Sequence, residues 1–114
     1  MPSYLLSFRP PSDYTPTSDT QADWQTFFGE ISTHLEDIGN PIFSRQSVGE
    51  TGAGTVLGGY SLINASCLEE ARELAAGCPL VNLGGGVEIG EVTTLSDRPA
   101  APQAGGRRRS RITS

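Results

Sequence analysis

The order of apolar segments predicts an α+β domain, β-α-β-β-α-β in sequence. Three observations carry it. A stripe of apolar residues recurs every three or four positions between Thr20 and Ile38. A helix-start signature at Ser66–Glu69 precedes a second apolar face. Short apolar runs bounded by Gly and Pro lie before, between and after these two segments.

The first strand is Tyr4-Leu5-Leu6-Ser7-Phe8, stopped by Pro10 and Pro11, which cannot donate to a ladder. A polar loop follows. Trp24, Phe27, Phe28, Ile31, Leu35 and Ile38 then draw one face of a helix over Thr20 to Ile38. Ser18 or Asp19 is suited to cap it, and Gly39 fits the left-handed position just past its end. Pro41 to Val48 reads as a second strand. Gly49 to Gly54 is a turn, and Thr55 to Ala65 alternates as a third strand, with Tyr60, Leu62 and Asn64 on one face. In the second helix Ser66 is the expected N-cap with Glu69 reaching back, and Leu68, Ala71, Leu74 and Ala75 form the apolar face. Val87 to Leu95 is the last strand, entered through Gly84-Gly85-Gly86. This order is the ferredoxin-like arrangement, two helices on one face of a four-stranded antiparallel sheet. Its other face is left bare, and a small domain is expected to cover it with a partner or a ligand.

A chain of 114 residues makes one domain, assigned to residues 1–96. The formal net charge of −5 is unevenly spread. Through Asp97, three arginines stand against all 13 acids, a charge of −10; the remainder carries five arginines and no acid. So acidic a body makes a poor nucleic-acid binder. Residues 97–114, rich in Pro, Ala, Gly and Arg without apolar periodicity, are expected to form a disordered tail. Cys67 and Cys78 show neither a disulfide framework nor metal-ligand spacing, and the triple glycine does not lead from a strand into a helix as a phosphate loop does. No cofactor or metal is therefore expected. Without a secretory leader or a long apolar run, a cytoplasmic protein is expected.

His34 is the natural acid–base candidate, and on a helix Asp37 would stand three residues on, placed to orient the imidazole. The plainer alternative is a boundary histidine beside a solvated carboxylate. Arg45, flanked by Ser44 and Ser47, suits an anionic ligand, or else it pairs with an acid of its own surface. Asn40 is either a ligand contact or turn chemistry. Tyr60 can offer its hydroxyl to a pocket or serve in sheet packing, and Glu88 is either a desolvated base or an exposed strand residue. Neither cysteine has a histidine in sequence range to activate it.

The run Leu57-Gly58-Gly59-Tyr60-Ser61-Leu62-Ile63-Asn64-Ala65-Ser66-Cys67-Leu68-Glu69-Glu70-Ala71 resembles the YCII-related family. So do Ala76-Gly77-Cys78-Pro79, Gly84-Gly85-Gly86-Val87-Glu88-Ile89, the Gly39-Asn40-Pro41 turn and Trp24. The likeness spans about residues 3–95. It departs from the branch with a DGPF-type motif, where this chain reads Gly52-Ala53-Gly54-Thr55-Val56. The resemblance implies a homodimeric α+β barrel, two sheets packed face to face with a cleft in each subunit. It also implies that the start of the first helix, with Trp24, borders that cleft. Some relatives use a His–Asp pair, others process lactones, and others accompany sigma-factor systems. Two functions follow as expectations. One is a dimeric module that binds a small organic, anionic ligand through Trp24, Asn40, Arg45 and Tyr60 without turnover. The other is a cofactor-independent acid–base enzyme, of lactone isomerase or dehalogenase type, built on His34 and Asp37.

Overall fold

The computed structural model describes residues 1–93. Strand β1, Ser3–Arg9, alternates as its sequence demands: Tyr4, Leu6 and Phe8 are buried on one side, while Ser3, Leu5, Ser7 and Arg9 face the other. It lies in the middle of the sheet, antiparallel to both β3 (Gly59–Asn64) and β4 (Gly86–Val92). Strand β2, Leu35–Pro41, completes the order β2-β3-β1-β4 from the outside of β3. Helices α1 (Ser18–Glu30) and α2 (Leu68–Ala75) supply the other half of the core, so the ferredoxin-like α+β fold is present. Among the described residues no helix is long and apolar enough to cross a membrane.

The core joins Tyr4, Leu6 and Phe8 to Phe27 and Ile31 of the first helical segment and to Ala71 and Ala75 of the second. Ser61, fully buried on β3, is satisfied by donating its hydroxyl to the Ile38 carbonyl. Phe8 meets Trp24, Phe27 and Phe28 edge-on, with centroids 5.1, 6.2 and 6.1 Å away, the geometry aromatic rings prefer.

Several expected boundaries are corrected. The first helix ends at Glu30, not Ile38: Ile31 leaves helical geometry, a short 3₁₀ turn covers Ser32–His34, and Leu35–Pro41 is strand. The apolar stripe therefore stops at Ile31; Leu35 is half-buried in β2 and Ile38 is exposed there. The sheet overrides the local pattern, because β3 would otherwise lack a partner on its outer side. Strand two thus lies upstream of the expected Pro41 to Val48, whose Phe43 and Val48 stand exposed in the connection to β3. That connection is tied to the body by Arg9, which donates to the Thr55 hydroxyl and the Thr51 carbonyl.

Thr17, rather than Ser18 or Asp19, caps α1. Its hydroxyl accepts from the Thr20 amide while the Thr20 hydroxyl accepts from the Thr17 amide, a reciprocal box. At α2 the box is displaced: Cys67 occupies the cap position, and Glu70, not Glu69, reaches back to Ser66. Of the face expected on α2, Ala71 and Ala75 are buried and Leu68 is exposed. Strand β3 begins at Gly59 and not Thr55, which instead bridges to Pro11. β4 closes at Val92, with Leu95 and the expected tail beyond the described residues.

Candidate functional site

Because β2 is an edge strand, the space between it and the first half of α1 is left unfilled. Trp24 and Phe28, one helical turn apart on α1, share a side and lie nearly parallel, centroids 5.6 Å apart and planes at 25°. Tyr14, held between Pro11 and Pro16, closes over them and accepts a hydrogen bond from the Trp24 indole N–H at 3.2 Å. The cleft is also lined by the stretch Ile38–Pro41 of β2, by Gly58, Gly59 and Phe43, and by Thr17, Ser18, Thr20 and Gln21 at the start of α1. It measures ≈ 690 Å³, within the size range of small-molecule sites.

Of the residues singled out in the sequence, Trp24, Asn40 and Tyr60 all contribute to the cleft. Asn40 and Tyr60 are partners in the ladder, and the Asn40 amide donates to the Tyr60 hydroxyl at 3.1 Å. Strand alternation sets Tyr60 on the side of the sheet opposite the buried Gly59 and Ser61, so this pair stands at the rim, toward the open face. Arg45 is not in the lining. Its guanidinium donates to the Ile42 carbonyl at 3.1 Å, and the residue borders a separate shallow depression with Phe43, Ser44 and Gln46.

His34 and Asp37 are not brought together as a pair. Asp37 accepts from the Gly39 amide at 2.8 Å, a local turn contact. His34 precedes β2 and stands six positions before Asn40, up to ~20 Å of extended strand. Its Nδ1 lies 2.9 Å from the Asn64 carbonyl oxygen. Because a carbonyl can only accept, Nδ1 is the donor in this contact. The acid near His34 is Glu70, whose carboxyl lies below the usual range chiefly because the Ser66 backbone N–H, then the Ser66 hydroxyl, donate to it; the charge of His34 acts in the same direction. Glu88 lies on the open face, opposite Ser7 of β1. Cys67 is exposed, and Cys78 is buried with its thiol pushed up to about 11 by desolvation. Among the described residues no three His, Cys, Asp or Glu side chains gather into a metal set.

No family model and no curated protein matches the chain. A solved structure does. The fold is similar to that of 5-chloro-2-hydroxyhydroquinone dehydrochlorinase (TftG) from Burkholderia phenoliruptrix AC1100, in its complex with 2,5-dihydroxybenzoquinone. The TM-score is 0.54 at 12% identity, over 85% of this chain and 99% of that one. At this identity the likeness speaks for the fold.

Sequence reading missed Tyr14, Phe43 and the Thr17–Gln21 turn as parts of the cleft. The one available signal was an isolated tyrosine between two prolines in an otherwise polar loop.

Proposed function

We propose that this is a YCII-related, homodimeric protein that binds a small organic molecule in the α1–β2 cleft of each subunit. The observation that carries it is the aromatic-walled cleft itself, a concave apolar site with a few polar groups at its rim. The structural neighbour, solved with a quinone bound, lends support from a chain of the same fold. The dimer reading rests on the bare side of the sheet. Leu5 and Val92 are 36% and 46% exposed there, beside Leu62 and interspersed with Ser3 and Ser7. Such a mixed face suits a partner sheet packed against it.

Saturation-transfer NMR against a panel of mono- and bicyclic organic molecules tests the binding reading. Binders should be lost in Gln21→Tyr, which fills the mouth of the cleft from an exposed helix position. Binders that survive that substitution would place the site elsewhere. Light scattering coupled to size exclusion tests the dimer, and a monomeric mass would exclude it.

A second reading, turnover by general acid–base chemistry, draws on the neighbour's being a dehydrochlorinase and on His34, whose Nδ1 is held by the Asn64 carbonyl. His34 does not line the cleft, so it would act only on a ligand that extends beyond the lining. Conversion of a cleft ligand by the native protein and not by His34→Ala would establish turnover.

A further inference from the structure

We infer that the guest of this cleft is an uncharged planar ring, stacked on the Trp24–Phe28 wall with a hydrogen bond from Tyr14, and that carboxylates are excluded. This deepens the ligand-binding reading and rests on it. Among the described residues, no Asp, Glu, Lys, Arg or His lines the cleft. The cation expected to receive an anion, Arg45, is turned onto its own loop at the Ile42 carbonyl. A carboxylate entering the cleft would exchange part of its hydration for hydrogen bonds from the first turn of α1 (Thr17, Ser18, Thr20) with no cationic side chain to pair with it, which disfavours it against a neutral ring. A neutral ring loses little hydration and gains contact with rings already fixed in place. Phe8 braces both Trp24 and Phe28 edge-on, at interplanar angles of 82° and 90°, so the wall does not have to be ordered when a guest arrives.

The polar inventory specifies one further feature. The Trp24 N–H is spent on the Tyr14 oxygen, which leaves the Tyr14 hydroxyl hydrogen to donate. A guest with a carbonyl, ester or ether oxygen at the ring's edge can accept it. The cleft therefore matches phenols, quinones or aromatic esters and not their acids.

The chain contains a single tryptophan, so the Trp24 indole N–H gives one NMR resonance that reports directly on the wall. With the full chain at neutral pH, the probes are methyl 4-hydroxybenzoate, 4-hydroxybenzoate and methyl 4-hydroxycyclohexanecarboxylate. The aromatic ester should shift the indole resonance saturably, and the carboxylate and the saturated ester should each bind at least about tenfold more weakly. Tyr14→Phe, which keeps the ring, should weaken the aromatic ester by about fivefold or more with the fold unchanged by circular dichroism. A carboxylate that binds as well as the ester overturns the exclusion of charge while leaving the cleft a binding site. A saturated ester that matches the aromatic one overturns the stacking. If none of the three moves the indole resonance but another molecule does, the assignment of this class is wrong; if no molecule in the wider panel does, the binding reading falls with it.

Discussion

Gly39 passes so close to Tyr60 that a Cβ placed on it would lie 1.8 Å from the Tyr60 carbonyl oxygen. The glycine also holds φ at 76°, in the left-handed region where a side chain is strained. Two separate requirements thus fall on one residue, and both arise where β2 departs from regular pairing between Asp37 and Asn40. Gly39→Ala is expected to destabilise the fold by about 2 kcal/mol or more, because the edge strand must move off β3. Urea unfolding followed by circular dichroism measures it. An unchanged midpoint would mean that β2 contributes nothing to global stability.

His34 contributes one hydrogen bond, from Nδ1 to the Asn64 carbonyl, that ties the 3₁₀ turn to the end of β3. His34→Ala should therefore cost about 1 kcal/mol and leave the secondary structure intact. Affinity for any molecule in the α1–β2 cleft should stay within about twofold, since His34 lies outside the lining. A loss of binding in this variant would bring the histidine into the site.

Glu70 makes α2 sensitive to acid. Its carboxyl is held below its ordinary 4.5 by the Ser66 backbone N–H first and the Ser66 hydroxyl second. A carboxylate with a lowered folded pKa stabilises fully above its unfolded pKa, and that contribution fades as pH falls through the folded value. The native protein should accordingly melt above Glu70→Gln at pH 7, with the two melting temperatures converging as pH drops below 4.5. A constant gap across that range would show that the carboxylate's charge is irrelevant to the cap.

The two cysteines should behave oppositely toward alkylating reagents. Cys67 is exposed, whereas Cys78 is 1% exposed with its thiol pushed up to about 11. The thiolate is the reactive species, so at neutral pH iodoacetamide should modify Cys67 alone in the native protein and both residues in denaturant. Mass spectrometry after limited labelling distinguishes the sites. Rapid native modification of Cys78 would reveal local opening of the α2 exit.

Much of the fold was legible in the sequence because strand β1, strand β3 and helix α2 carry patterns of a single period bounded by clear breakers. The Tyr60, Leu62, Asn64 face of β3 emerged as read. The end of α1 was not legible. Ile31, Leu35 and Ile38 continue a helical spacing by coincidence, and Gly39 with Pro41 mimics a helix stop. The left-handed backbone expected at Gly39 is present, but it serves a close approach to Tyr60 and not a helix terminus. That one boundary also decides the His34–Asp37 reading, since three-residue spacing brings side chains together on a helix and not across this strand. The cleft was only half legible. Trp24, Asn40 and Tyr60 were visible as individual candidates, whereas Tyr14 and Gly58 join them only through tertiary packing that no local pattern encodes.

The irregularity of β2 also governs how copies of this protein can add to one another. An outer strand with free amides and carbonyls in regular register is a template on which further chains polymerise. Here the spacing breaks twice, after Leu35 and after Asp37, and the strand finishes on Pro41, which has no N–H to offer. A newcomer docking along this border would find its donors and acceptors out of step within a few residues. The same distortion that lies beside the cleft thus works as a stop against open-ended, fibre-like growth from that border.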